Sequence, residues 1–131
     1  MTTRTEIRQA VAQNLEPDLL AFNPTIQVYP FKKSSPDRSD PIVCVYLEEA
    51  DIENGVGYRE DDAQLSIHIL MPDQDNVDDQ LDAIGDVCTS SMDGNFLLGG
   101  LLTNQLHTGW KYERNLLPGW TGLTLTYQIR W

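Results

Sequence analysis

The sequence is poor in the residues and motifs that build most catalytic and metal centres. Its 131 residues include two histidines and two cysteines. They contain no Gly-rich phosphate loop, no GxSxG elbow and no HExxH pattern. A zinc site needs three or four nitrogen or sulfur ligands at recognisable spacing, and no such set occurs. We therefore expect a protein that is not an enzyme.

Cysteine usage and apolar patterning argue against an exported or membrane-spanning chain. Cys44 lies in an apolar run and Cys88 falls on the apolar side of a predicted helix. We interpret both as buried, reduced thiols. The N-terminal residues lack the apolar segment of a secretory signal. No window approaches the 18 consecutive apolar residues that predict a transmembrane helix.

Basic residues are scarce as well, and the acidic residues are unevenly spread. Nine Lys and Arg face twenty Asp and Glu, for a net charge of −11. We therefore expect neither sequence-specific nucleic acid nor a membrane surface as a partner. Residues 40–93 carry a net charge of −14 and the rest carries +3. Such a chain could meet copies of itself, acidic face to basic face.

A first helix is predicted over residues 3–15. Apolar residues recur there at helical spacing, and Thr3 with Glu6 forms a capping box at its start. We expect Pro17 and Pro24 to end this segment.

A second helix, over residues 76–92, is the clearest element of the sequence. Asp75 or Asn76 is placed to cap it, and aspartates occupy the first turn, where the helix dipole favours anions. A short third helix over 97–106 is weakened by two central glycines. The apolar positions of the second helix are Val77, Leu81, Ile84 and Cys88.

Five apolar or alternating segments predict strands. With the helices they give the order α-β-β-β-α-(α)-β-β in one domain, residues 1–131. This order predicts an α+β fold, with a mainly antiparallel or mixed sheet flanked by helices. The second and third strands are predicted to form an antiparallel hairpin, and the second to be buried on both faces. The strands are residues 25–29, 42–47, 64–71, 109–113 and 122–131.

Two charged segments, residues 32–41 and 48–62, are predicted to be mobile surface loops. The second is rich in carboxylates, the ligands that Mg²⁺ and Ca²⁺ prefer, but it lacks EF-hand spacing. Our default interpretation is a solvated acidic surface without a cofactor, which leaves Mg²⁺ open as a promoter of assembly. His68, on the polar side of its strand, is expected to face solvent. The candidate cation ligands are Glu48, Glu49, Asp61 and Asp62.

Contacts between copies are predicted at the charged loops and at the last residue. A tryptophan at the end of the chain has little intramolecular support, and tryptophan is enriched at interface hot spots. The other C-terminal aromatics, Trp110, Tyr112, Trp120 and Tyr127, are expected in the sheet core. The candidate interface residues are Glu48, Glu49, Asp51, Arg59, Asp61, Asp62, Lys32, Lys33, Arg38, Arg114 and Trp131.

Several segments, in this order and spacing, resemble the tail terminator family of long-tailed bacteriophages, also called minor tail protein U. The length agrees too, whereas the Ser/Pro/Lys segment 32–41 and Gly99-Gly100 depart from the family pattern. The segments that carry the resemblance are TEIRQAVAQNL, PIVCVYL, DDAQLSIHILMP, Asp78–Ile84, LLTNQLHTGWKYERN and LTLTYQI.

The resemblance implies a non-enzymatic virion assembly protein with an α+β fold. Family members form a hexameric ring at the head-proximal end of the tail tube, halt tube polymerisation and offer a surface to head-completion proteins. The implied partners are copies of the chain, the tail tube protein and a head-completion protein, assembled in the host cytoplasm.

Two other functions stay open at the sequence level. One is an acidic DNA mimic that inhibits a nucleic-acid-binding protein. The other is a small metal-dependent hydrolase that uses the carboxylates of 48–62.

Overall fold

The computed structural model describes residues 2–33, 40–55 and 58–131, with side chains described except at 49–55, 58–60 and 115–116. Most of the predicted loop 32–41, including Arg38, therefore lies outside the described residues. The elements are α1 (Arg4–Phe22), β1 (Gln27–Tyr29), β2 (Ile42–Gly55), β3 (Tyr58–Pro72), α2 (Val77–Gly94), a 3₁₀ turn (Leu98–Gly100), β4 (Asn104–Leu117) and β5 (Trp120–Arg130).

The described residues form a five-stranded mixed sheet in the order β1-β2-β3-β5-β4. β1 runs parallel to β2, and the other neighbours are antiparallel. α1 packs near β1 and β2, whereas α2 packs on β3 and β5. The predicted α+β class, the order of the two main helices and the five strands, and the hairpin of the second and third strands are confirmed. Neither helix has the combination of length and apolar character that crossing a membrane requires.

Two apolar clusters lie on the two faces of the sheet. The larger lies between the sheet and the helices, and includes Leu15, Leu65 and Leu81, all fully buried. A smaller cluster of Ile42, Cys44 and Leu70 lies on the face that α1 and α2 leave uncovered, packed by Tyr29, Tyr46 and Trp120. β2 contributes to both clusters, as its continuously apolar sequence predicts.

α1 begins as predicted but extends further. The Thr3 hydroxyl accepts a hydrogen bond from the Glu6 backbone N–H at 3.1 Å. The helix then continues through Pro17 to Phe22, so the prediction that Pro17 ends it is wrong. A proline inside a helix lacks the N–H for the backbone bond. Burial of Leu19, in the turn after Pro17, offsets that loss because its side chain is fully enclosed in the core.

The acidic segment 48–62 is strand over most of its length. β2 continues to Gly55 and β3 starts at Tyr58, with pairing from Ala50↔Ala63 to Gly55↔Tyr58 after a register shift. The prediction of a loop over 48–62 is therefore wrong for the described backbone. Antiparallel pairing satisfies backbone N–H and C=O groups whatever the side chains are. Hydropathy alternation does not reveal such a hairpin arm because the sequence of residues 48–62 is mostly polar.

The buried face of α2 is the one that the sequence predicts, but its N-cap differs from the prediction. Leu81, Ile84 and Cys88 are buried. Asn76 occupies the N-cap with φ 63° and makes no side-chain capping hydrogen bond, so the predicted cap is not formed by this side chain. Cys44 and Cys88 are free and buried, as expected. Burial raises the pKa of the Cys88 thiol to about 12.

The predicted helix over 97–106 is wrong. Only a single 3₁₀ turn forms at Leu98–Gly100, and β4 begins at Asn104. Gly99 (φ 67°) and Gly100 (φ 99°) adopt left-handed conformations that glycine accepts readily and that end helical propagation.

Candidate interface surfaces

Asp62 is held inside its own chain. Arg130 on the neighbouring β5 donates from Nε to Oδ1 at 2.7 Å and from Nη2 to Oδ2 at 2.6 Å. The hydrogen bond from Arg130 lowers the pKa of Asp62. Such a bidentate pair occupies both carboxylate oxygens. Asp62 is therefore a link between strands rather than a free ligand for a cation or a neighbouring copy.

Asp61 and Trp131 extend the same strand pairing to the last residue. The Asp61 N–H donates to the Trp131 carbonyl at 2.9 Å, and the Trp131 N–H donates back at 3.1 Å. The Trp131 side chain is half-buried and packs against the larger apolar cluster. The expectation that Trp131 has little intramolecular support is wrong, because its backbone pairs with β3 and its side chain packs against the larger apolar cluster.

The other acidic candidates are only partly described. Glu48 is exposed and accepts a hydrogen bond from Gln64 Nε2 at 2.9 Å. Within the described ranges, no group of three or more His, Cys, Asp or Glu side chains is arranged to hold a metal ion. The side chains of Glu49, Asp51 and Arg59, and all of Arg38, lie outside the described residues.

Lys32 and Lys33 lie beside the smaller apolar cluster. The Lys32 ammonium is 5.5 Å from the ring centroid of Tyr46, and that of Lys33 is 5.3 Å from the ring centroid of Tyr29. Both distances fall within the range of cation–π attraction. The two lysines therefore help to cover the sheet face that α1 and α2 leave uncovered.

Arg114 links β4 to α2. Its guanidinium donates to both carboxylate oxygens of Asp78 at 2.9 and 2.8 Å and lies 5.1 Å from the Tyr112 ring centroid. The hydrogen bonds between the pair lower the pKa of Asp78 and raise that of Arg114. Arg114 thus has an internal partner, which nothing in the hydropathy pattern indicated.

His68 is buried, contrary to the expectation that it faces solvent. Its side chain is 5% exposed, with Nε2 3.7 Å from a Glu113 carboxylate oxygen and Nδ1 3.5 Å from the Tyr46 hydroxyl. Nε2 makes no hydrogen bond within the described residues. Burial lowers the pKa of His68. A Cβ at position 122 would lie 2.9 Å from Nε2, so Gly122 leaves the room that the imidazole occupies.

A groove of about 390 Å³ lies between α2 and the β4–β5 hairpin. Asp82 and Asp86 line its helix side and Trp110 and Tyr112 its strand side. The Tyr112 hydroxyl donates to Asp82 at 2.5 Å, which raises the pKa of Tyr112 to about 12. The Trp110 side chain, 5.3 Å from Tyr112 between ring centroids, is 62% exposed. We call this the acidic groove.

The prediction that Trp110 belongs to the core is therefore wrong, whereas Tyr127 is fully buried as predicted. α2 packs on β3 and β5. β4 lies beyond β5 at the edge of the sheet. An aromatic ring on β4 can therefore point toward the layer of helices and still remain exposed to solvent.

A second open pocket, of about 340 Å³, lies where the start of α1 meets β2. Arg4, Thr5 and Arg8 line it from the helix, with Tyr46 and Leu47 opposite. Arg8 Nη2 donates to the Thr5 hydroxyl at 3.2 Å, while its buried Nε has no partner among the described residues. The i, i+4 spacing of the two arginines is the sequence signal for this basic pocket.

Comparison with known protein families gives a match over nearly the whole chain. The family is described as phage minor tail protein U, and its model matches residues 2–131. The chain belongs to this family. It is thus a phage tail protein and a component of the virion, which confirms the resemblance seen in the sequence.

Solved structures show the same fold. A chain of the structure titled "Virion of native gene transfer agent (GTA) particle" is similar with a TM-score of 0.57 and 15% sequence identity. The similarity covers 95% of this chain and 92% of that chain. A comparison with curated proteins gives no match. The structural likeness therefore supports the fold, and the family match supports the role in the tail.

Proposed function

We propose that this chain caps the phage tail tube as a ring of six copies at the head-proximal end. The ring stops tube polymerisation and provides the surface that a head-completion protein binds. The observation that carries the proposal is the match of residues 2–131 to phage minor tail protein U. The role is structural and requires no catalytic group or cofactor.

The negative net charge of the chain opposes the formation of such a ring. Six chains of −11 carry a net charge of −66, so closure works against long-range repulsion. Local pairs of opposite charge and buried apolar contacts must therefore hold neighbouring copies together. An acidic channel would in turn repel DNA phosphates and favour passage of DNA over binding.

The test combines assembly in solution with tail morphology. Light scattering coupled to size exclusion measures the mass of the purified chain over a concentration series, alone and with tail tube protein. Electron microscopy then measures tail lengths in phage that lack the gene and in phage complemented with it. We expect hexamer mass, and tails of uniform length only with the gene supplied.

Chains that stay monomeric under all of these conditions, with uniform tails in the absence of the gene, would contradict the proposal. The same experiments separate it from the two other functions. A DNA mimic would form a complex with a basic nucleic-acid-binding protein instead of a ring. A hydrolase would bind a metal stoichiometrically and turn over a substrate.

A further inference from the structure

All the Lys and Arg residues of the two helices lie at the start of α1. α2 carries five aspartates and no Lys or Arg, and it packs on β3 and β5 next to the edge strand β4. The start of α1 carries Arg4 and Arg8 and packs near β1 and β2, toward the opposite edge. The acidic groove and the basic pocket therefore lie on different flanks of one molecule.

The acidic groove contains groups that the single chain leaves unused. Asp86 lines the groove and has no hydrogen-bond or ion-pair partner within the part of the chain that the structure describes. Beside it, Trp110 is an exposed aromatic on an edge strand. Large exposed aromatic rings next to polar groups are typical anchors of protein interfaces.

The basic pocket has the complementary chemistry. Arg4 is exposed and has no hydrogen-bond or ion-pair partner among the described residues. Arg8 uses one guanidinium nitrogen on Thr5 and leaves Nε without a partner in the described part of the chain. Guanidinium groups pair with carboxylates and stack on indole rings, and the acidic groove offers both.

We propose that the acidic groove of one copy receives the first two turns of α1 of the next copy. In this contact Arg4 and Arg8 pair with Asp86 and lie against Trp110. The inference rests on the proposed ring and identifies its subunit contact. Two different surfaces meet, so the interface is heterologous and repeats from copy to copy, as ring closure requires.

Charge complementarity is what selects a second copy as the occupant. The chain as a whole is repelled by its copies at −11. The basic pocket is nevertheless a surface with two guanidinium groups that every copy carries, and these groups complement the Asp86 carboxylate and the Trp110 ring of the groove. Salt screens the attraction between opposite charges in contact less than it screens the long-range repulsion between whole chains.

A charge-swap experiment tests the contact. The groove variant is Asp86→Arg, and the pocket variant is Arg4→Glu with Arg8→Glu, or Arg4→Glu alone should the double variant fail to fold by circular dichroism. Asp18→Arg is the matched control, since Asp18 is exposed on α1 and lines neither the groove nor the pocket. Each chain is measured alone by light scattering over a concentration series, and the groove and pocket variants are then mixed in equal amounts.

We expect each variant alone to need about tenfold more protein than the parent to assemble, and the control to assemble like the parent. The mixture should recover assembly, because each reversed surface then meets its complement and six positions allow strict alternation. Variants that assemble like the parent, or a mixture that stays monomeric, would overturn the contact while leaving the ring intact. A parent chain that never self-associates would overturn the ring itself.

Discussion

Arg130 on β5 and Asp62 on β3 form a two-point ion pair, 2.7 and 2.6 Å, between residues 68 positions apart in the sequence. Asp62 was a candidate for contact with another copy or a cation. The pair instead fastens the outer part of β3 to the C-terminal strand, where Asp61 and Trp131 continue the backbone pairing. The acidic hairpin arm is therefore anchored in the sheet at its base.

Replacement of Asp62 by Asn should destabilise the fold modestly. We expect Asp62→Asn to lower the free energy of unfolding by about 1 kcal/mol at pH 7, because the pair is bidentate but partly exposed. The pKa of Asp62 is lowered in the folded chain from its usual 3.8. The ion pair thus stabilises the fold above pH 3.8, and this stabilisation is lost as pH falls below that value.

Urea unfolding of parent and Asp62→Asn at pH 7 and pH 3 measures this difference. Glu48→Gln is the control, since an amide oxygen can still accept the hydrogen bond from Gln64. A difference between parent and Asp62→Asn that is equal at both pH values would contradict the assignment to this ion pair.

The division of α2 into a buried and an exposed face gives a second prediction. Leu81 is fully buried, so Leu81→Ala should cost about 2–5 kcal/mol. Asp79 is exposed on the same helix, and Asp79→Ala should change stability by under about 0.5 kcal/mol. Chemical denaturation of both variants as monomers provides the comparison. Equal losses would show that the helix is rotated from the described position.

Buried His68 should make stability depend on pH in the weakly acidic range. The pKa of His68 is lowered from 6.5 because burial disfavours the charged ring. The positive charges of Lys32 and Lys111 also lower this pKa, whereas the Glu113 carboxylate raises it. The unfolded chain therefore binds more protons, and stability falls as pH drops below about 6.5. The slope from one group is at most about 1.4 kcal/mol per pH unit.

Denaturation between pH 7 and pH 5 tests this effect in the parent, in His68→Gln and in His107→Gln. The His68→Gln variant should lose less stability on acidification than the parent. His107 is exposed, so His107→Gln is the matched control and should follow the parent. A His68→Gln profile parallel to that of the parent would assign the pH dependence to other groups.

Ring assembly should strengthen as salt rises from low ionic strength to about 0.1–0.2 M. The Debye length is then roughly 10 Å or less, so repulsion between the acidic chains fades while contact pairs persist. Because Arg130 already holds Asp62, we expect NaCl and MgCl₂ at equal ionic strength to act alike. Light scattering across both series checks this. Rings that form best without salt, or only with Mg²⁺, would contradict it.

Sequence patterns within single helices and strands were sufficient to predict much of the fold. The spacing of Leu81, Ile84 and Cys88 predicted the buried face of α2, and the continuous apolar run from Ile42 predicted a strand buried on both faces. The errors arose where a neighbouring element decides the outcome. Pro17 stays helical because Leu19 in the following turn is buried, and the acidic arms of β2 and β3 form because their backbones pair with each other.

The candidate site was predictable in its charge but not in its geometry. The acidic excess and the scarcity of basic residues already indicated contacts between copies through opposite charge. Of the individual candidates, however, Asp62 and Arg114 are held by internal partners, and Trp131 is packed on the core. Asp86 and Arg4, which were not among the candidates, are charged groups for which the described residues provide no partner.

The sequence by itself determined the element order, the α+β class, the apolar phases of the main elements and the family resemblance, because each can be recognised along contiguous residues. The tertiary structure alone decided that His68 is buried, that Trp110 is exposed and that Asp62 meets Arg130. These outcomes depend on strand order and on which strands the helices cover. Such relations join residues distant along the chain, and no local periodicity encodes them.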